Sequence, residues 1–417
     1  MDPARQAAFD ALRAVDERDA FVNLLLPPLL RERRLDARTA ALATELAHGT
    51  LRWQGTYDAI IDHLAGGRTI EPAVRDVLRL GCHQLLSMRV PDHAAVSTSV
   101  DLVKSAVGHR ATGFTNAILR RVAARPLDDW LADVTSGLAG DAALAVRTSH
   151  PEWIVAALRE ALGPDGDLDA LLAADNVAPK VTLAAWPSLC DPDELPGEPG
   201  RLSRYARILD GGDPAEIPAV RERRAGVQDE GSQLVAVRLA EADLTGSDER
   251  WLDLCAGPGG KAALLGGLAA QRGATLVANE VQAHRAELVT AAVANLPNVS
   301  VTCEDGRAGP WDVGTFDRIL VDAPCTGLGA LRRRPESRWR RVPADLDTLV
   351  PLQEALLSRA LELARPGGVV AYATCSPLLV ETRDVIAAVG VEPESVMQLW
   401  PHTDGTDAMF CAVIRAT

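Results

Sequence analysis

Apolar positions along this chain change their period twice, and the changes divide it into three parts. In the first part they recur at helical spacing: Val74, Val77, Leu78, Cys82 and Leu85 share one face, as do Val96, Val100, Val103 and Val107 before the helix-stopping Gly108. A further segment, GHRATGFTNAILRRV, turns Phe114, Ala117, Ile118 and Val122 inward and leaves Arg110, Arg120 and Arg121 to solvent. These patterns predict a bundle of amphipathic helices over residues 1–130. Between 131 and 230 the period is poor and Pro, Gly and Asp are frequent, with short apolar runs such as VTLAAW, which predicts a small α+β connector. From 231 to 417 the rhythm becomes β-α-β-α. Runs at 251–255, 275–279, 299–303, 319–321 and 369–374 read as buried strands, and stretches such as 283–294 and 352–364 read as helices. Alternation of this kind predicts a largely parallel sheet covered by helices on both faces.

Ligands of such sheets bind beyond the carboxyl ends of the strands, so the residues directly after each run carry the chemistry. The first run ends in DLCAGPGGK, whose Gly257, Gly259 and Gly260 let backbone approach a ligand closely. Its spacing also satisfies the relaxed dinucleotide pattern GxGxxA through Gly257, Gly259 and Ala262, which keeps a nicotinamide-dependent oxidoreductase in contention. A Walker-type phosphate loop is excluded, because Cys255 stands where its first glycine belongs and Ala262 follows Lys261. Glu280 and Asp305 close the second and third runs. Together they suit the ribose diol and the amino group of an adenine nucleoside, although each taken singly reads first as a helix N-cap.

The fourth and fifth runs lead into thiols, Cys325 in DAPCTGLG and Cys375 in ATCS. Hydride transfer needs no thiol. Carbon 5 of cytosine is a poor nucleophile until a thiolate adds at carbon 6, and a base must later remove the carbon-5 proton so that the thiol can leave. Cys375 and Cys325 are candidates for nucleophile and helper, with Asp322 available to hydrogen-bond the cytosine edge or stabilise the adduct.

These residues resemble the Sun-type (RsmB-like) bacterial RNA cytosine-5-methyltransferases. DLCAGPGGK is similar to that family's cofactor loop, DAPCTGLG to its proline-cysteine motif, and ATCS to the motif of its nucleophile. GFTNAILRR resembles the family's NusB-like helical domain, VQDEGSQL the segment leading into its catalytic core, and the likeness extends to the terminal DGTDAMFCAVIR. The resemblance implies an all-α NusB-like RNA-binding domain, an α+β connector and a Rossmann-like methyltransferase domain. It further implies that Cys255, Ala256, Gly257, Pro258, Gly259, Gly260, Lys261, Glu280, Asp305 and Asp322 contact S-adenosylmethionine, that Cys375 attacks cytosine, and that Cys325 assists release. Its implied partner is RNA, with the fused helical domain favouring small-subunit ribosomal RNA over transfer RNA, and its implied state is a monomer. A non-catalytic RNA-binding or ribosome-assembly factor that kept the fold is the remaining alternative.

Charge bears on the RNA expectation. The net charge is −14, yet through Arg125 the chain carries 17 Lys and Arg against 14 Asp and Glu. Inside the acidic remainder, LRRRPESRWRR sets Arg332, Arg333, Arg334, Arg338, Arg340 and Arg341 against one acid, Glu336. With Arg120 and Arg121, these six are expected to line one RNA-facing surface. The seven cysteines are scattered and lack CxxC spacing, so neither a disulfide framework nor a metal site is expected. No run of 18 apolar residues and no basic leader with a cleavage site is seen, which places the chain in the cytoplasm, away from membranes.

Overall fold

The computed structural model describes residues 2–417 and resolves into two compact units. One comprises the chain up to Val177 together with Leu331–Arg340; the other comprises Ala178–Ala330 and Arg341–Thr417.

The first unit is helical: α1 (Pro3–Arg18), α2 (Val22–Glu32), α3 (Ala37–Arg52), α4 (Gln54–Ala65), α5 (Pro72–Leu86), α6 (Asp92–Ala106), α7 (Thr112–Ala123), α8 (Leu127–Val134), α9 (Gly140–Thr148), α10 (Glu152–Leu162) and α11 (Leu168–Asp175). Local chemistry sets several ends. Asp2 caps α1 by accepting from Arg5 N at 2.9 Å ahead of Pro3, Asp36 caps α3 through Thr39 N, and α4 stops at left-handed Gly66. The core draws Val74, Val77, Leu78 and Cys82 from α5, Val96 and Val103 from α6, and Ile118, Leu119 and Val122 from α7. On α7 the buried face holds Leu119 where Ala117 was expected; Ala117 is exposed.

The helical unit does not end near residue 130. Trp130 on α8 is buried and donates Nε1–H to Val122 O at 3.0 Å. The Thr56 hydroxyl donates to Val146 O at 2.6 Å, and Gly55 N to Ser149 Oγ at 3.0 Å. Residues 131–177, expected in the connector, therefore complete the bundle, and only the later part of that segment forms a sheet.

The second unit opens with a small antiparallel sheet of β1 (Thr182–Ala185), β2 (Glu198–Pro199), β3 (Ala206–Ile208) and β4 (Ala225–Val227), in the order β2-β3-β1-β4. Helix α12 (Glu230–Glu241) leads into the main sheet, made of β5 (Arg250–Asp253), β6 (Thr275–Asn279), β7 (Val299–Thr302), β8 (Phe316–Asp322), β9 (Ala364–Thr374), β10 (Pro393–Gln398) and β11 (Phe410–Arg415). Its order is β10-β11-β9-β8-β5-β6-β7. The strands from β5 to β9 pair in parallel, and β11 runs antiparallel to both β9 and β10.

Alternation along the central strands feeds two cores, one on each face. Leu320, Val369, Ala371 and Ala373 pack on one side with α12 and with α13 (Gly260–Gln271). Ile319, Val321, Val370 and Tyr372 pack on the other with α15 (Leu346–Leu363) and α16 (Arg383–Val389), while α14 (Ala283–Ala292) links β6 to β7. Each fully buried Leu or Val contributes about 1.5–3 kcal/mol. Strand β5 pairs with β6 on one side and β8 on the other, so the chain order reverses there, the position at which open α/β sheets bind ligands beyond the carboxyl ends. Among the described residues no helix is long and apolar enough to cross a membrane.

Candidate active site

The glycine loop after β5 is shaped by what cannot fit into it. A Cβ on Gly257 would lie 2.1 Å from Glu280 Oε2, and one on Gly259, at φ +113°, would lie 2.6 Å from Ala292 Cβ. Backbone is thereby pressed against the end of β6. Ala256 N donates to Asn279 O at 2.7 Å, and Arg285 Nη2 donates to Gly257 O at 2.6 Å while its Nε lies 3.5 Å from Glu280 Oε2. The Gly257–Pro258 peptide is cis. Glu280 is buried and accepts from Gln282 N at 3.0 Å. Asp305, by contrast, is partly exposed and engaged with Arg307, whose Nη2 lies 2.6 Å away; that pairing lowers its carboxyl to about 2.

Beyond β8 and β9 the two thiols meet. Cys325 Sγ and Cys375 Sγ are 3.5 Å apart and both are half-buried. The hydrogen bond to Cys375, burial, and the charges of Glu381 and Asp322 push the Cys325 thiol well up. At the end of β8, Asp322 Oδ2 accepts from Lys261 Nζ at 2.9 Å. Burial would lower Lys261, but the charge and hydrogen bond of Asp322 more than offset it, and the neighbouring Cys375 acts in the same direction. The Cys375 loop is tied from below: Gly329 N donates to Cys375 O at 2.8 Å, and a Cβ on Gly329 would lie 2.0 Å from Ala408 O. Cys325 and Cys375, and Asp322 with Lys261 of the glycine loop, thus lie together beyond the carboxyl ends of β5, β8 and β9.

Residues 244–392 match the family described as 16S rRNA methyltransferase RsmB/F, and residues 2–124 match the NusB family. A putative methyltransferase of Mycobacterium tuberculosis (strain ATCC 25618 / H37Rv) is 48% identical over 100% of this chain and 97% of its own length. The ribosomal RNA small subunit methyltransferase B of Pseudomonas putida is 34% identical over 93% and 88%. This chain belongs to the RsmB/F methyltransferase family. The crystal structure of PH0851 superposes with a TM-score of 0.82 at 20% identity, covering 99% of this chain and 98% of that one, and establishes the shared fold. Fold and family make the chain an S-adenosylmethionine-dependent methyltransferase, and the nicotinamide reading of the GxGxxA spacing is set aside.

The methyltransferase has a cradle that fits this cofactor. Asp253, the last residue of β5, is fully buried with neither carboxylate oxygen hydrogen-bonded, and burial followed by the charge of Asp322 raises it to about 8. A buried acid with no protein partner, beside a loop whose three glycines let backbone approach closely, is suited to a polar, nucleoside-bearing ligand. Sequence reasoning passed over Asp253, although an acid inside the apolar run WLDLC was a visible signal. Cys255 in the same loop is pushed well up by burial and by Asp253, which keeps it a thiol.

The arginine run departs from expectation. Arg338 is 0% exposed, and its Nη1 donates to Ser149 O and Asn176 Oδ1, each at 2.9 Å. Arg332 is also buried, and its carbonyl accepts from Arg52 Nη2 at 3.3 Å. Arg334 and Arg340 lie over the Phe21 ring at 4.9 and 5.0 Å, and Arg340 donates to the carbonyls of Val15, Asp19 and Ala20. Trp339 packs where a Cβ on Gly55 would come within 2.2 Å of its Cη2. Arg333 is half-buried, and Arg341, in the second unit, donates to Thr326 O at 3.0 Å. The expected surface is therefore corrected. Arg332 and Arg338 are buried in the helical unit, Arg338 as a donor to Ser149 O and Asn176 Oδ1, and of the eight arginines only Arg120 and Arg121, on α7, are exposed.

Proposed function

We propose that the chain methylates carbon 5 of a cytidine in small-subunit ribosomal RNA through a covalent adduct on Cys375. The observation that carries this reading is the pair of sulfurs 3.5 Å apart beside the Asp322–Lys261 pair. The names of the relatives support ribosomal RNA as the substrate, and the helical unit carries the NusB match that the sequence resemblance implied.

The Cys325 S–H donates to Cys375, which favours the thiolate on Cys375. As the Cys375 sulfur bonds to carbon 6, the 5,6 double bond opens and electron density moves to carbon 5. Asp322, held by Lys261, hydrogen-bonds the cytosine edge. The glycine loop, Glu280 and Asp253 would hold S-adenosylmethionine, which would supply an electrophilic methyl group, its sulfonium–methyl bond breaking as carbon 5 takes the methyl. The carbon-5 proton then passes to a base, the 5,6 double bond re-forms, and Cys375 departs as a thiolate received by the Cys325 S–H.

Transfer of labelled methyl to RNA, with bisulfite sequencing of ribosomal and transfer RNA from a deletion strain, tests the assignment. One missing 5-methylcytosine in small-subunit RNA is expected. Label on another base, or no incorporation, contradicts the reading and favours a non-catalytic RNA-binding role.

A further inference from the structure

Behind the two sulfurs sits a carboxylate that the reaction above does not use. Glu381 follows the ATCS loop and is 0% exposed. Its Oε1 accepts from Thr326 N at 2.8 Å and from Gln353 Nε2 at 3.0 Å, and its Oε2 accepts from the Thr326 hydroxyl at 2.5 Å. Gln353 Nε2 also donates to Pro324 O at 2.8 Å, so the residues on both sides of Cys325 hang from this pair. The Thr326 hydroxyl lies 3.2 Å from Ser376 Oγ, and Ser376 follows Cys375. Tyr372 on β9 fixes the turn itself by donating to Glu381 O at 2.7 Å. Thr326, after Cys325, thus bonds Glu381 directly, and Ser376, after Cys375, is linked to it through the Thr326 hydroxyl.

Every donor to this carboxylate is neutral, and it has no ion pair among the described residues. Burying a charge without a cation costs stability, and a neutral amide of the same shape would satisfy the same loops. The charge therefore has a use other than packing. Of the groups that bear on Cys325, Glu381 and Asp322 are acids and Cys375 and Tyr372 are neighbours, whereas Lys261 bears on Cys375.

We propose that Glu381 is a positioning residue for the thiol pair: it sets the spacing of Cys325 and Cys375 and keeps the proton on Cys325. This inference rests on the covalent reading above. Glu381→Gln separates charge from geometry, because its amide oxygen can keep the Thr326 N and Gln353 contacts while its NH2 donates to the Thr326 hydroxyl. Glu381→Ala removes both.

The test measures alkylation of Cys325 against pH in a Cys375→Ser background, together with kcat and KM for RNA and calorimetry with S-adenosylmethionine. Glu381→Gln should move the Cys325 titration toward acid by about one pH unit at unchanged cofactor affinity. In the chain with both cysteines, Glu381→Ala should lower kcat about 100-fold with little change in KM, and Glu381→Asp should recover part of it. An unshifted titration in Glu381→Gln, or activity lost only in step with cofactor binding, overturns the proposal and leaves Glu381 a packing residue. Full turnover by Cys375→Ser would instead overturn the covalent reading, so the two failures are distinct.

Discussion

Replacing Arg338 by Met separates the structural role found here from the RNA contact its sequence suggests. Arg338 Nη1 lies 2.9 Å from both Ser149 O and Asn176 Oδ1, with weaker contacts to Arg52 O at 3.4 Å and, through Nη2, Asp175 O at 3.3 Å. Met fills similar volume but leaves these buried acceptors without that donor. Each unsatisfied buried acceptor costs about 1–3 kcal/mol, so the two short contacts alone set a loss of about 3 kcal/mol. Against this stands relief from burying a cation, which lowers the guanidinium to about 10 and still leaves it charged at neutral pH. Because the carbonyls remain after the substitution, the loss wins. With a slope of about 3 kcal/mol/M, the urea midpoint of the full chain followed by circular dichroism should fall by about 1 M. Arg338→Lys should recover only part of this, since an ammonium cannot fork between two acceptors. An unchanged midpoint accompanied by weaker RNA binding would refute the reasoning and return Arg338 to an RNA-facing surface.

Other perturbations probe the cofactor cleft and the remaining basic surface. Asp253 has a folded value of about 8, above its ordinary value near 3.8, so the folded state holds a proton that the unfolded chain releases. Stability should decline as pH rises from about 4 to about 8, and Asp253→Asn should remove that decline; parallel urea midpoints for both proteins across the window would contradict the assignment. Gly257→Ala places a Cβ against Glu280 and should weaken S-adenosylmethionine binding about tenfold by calorimetry, with wild-type affinity as the contrary result. The double substitution of Arg120 and Arg121 by Ala should flatten the slope of log K against log salt by about 1.4 for single-stranded RNA, and an unchanged slope would remove α7 from the RNA surface.

The parts of this molecule legible in its sequence are those whose partners are close in sequence or whose period is regular. The runs at 275–279 and 299–303 correspond to β6 and β7 almost residue for residue. The run at 319–321 caught only the middle of β8, because Asp317 and Arg318 break the apolar pattern. Both are buried through distant partners: Asp317 accepts from Glu249 N and Arg250 N, and Arg318 pairs with Asp248. The thiol pair was readable because each cysteine follows a strand, and parallel neighbouring strands bring such residues to one edge. The arginine run was misread for the opposite reason, since the carbonyls that take Arg338 into the interior lie 162 or more residues away. Glu381 left no local signal either, its partners being 55 and 28 residues distant.

The covalent reading is tested most directly by trapping its intermediate. Cys325→Ala, incubated with S-adenosylmethionine and small-subunit RNA, should accumulate a protein–RNA complex that survives denaturation, and peptide mapping should place the nucleotide on Cys375. A complex absent under conditions of methyl transfer, or one that persists in Cys325→Ala/Cys375→Ser, would contradict it.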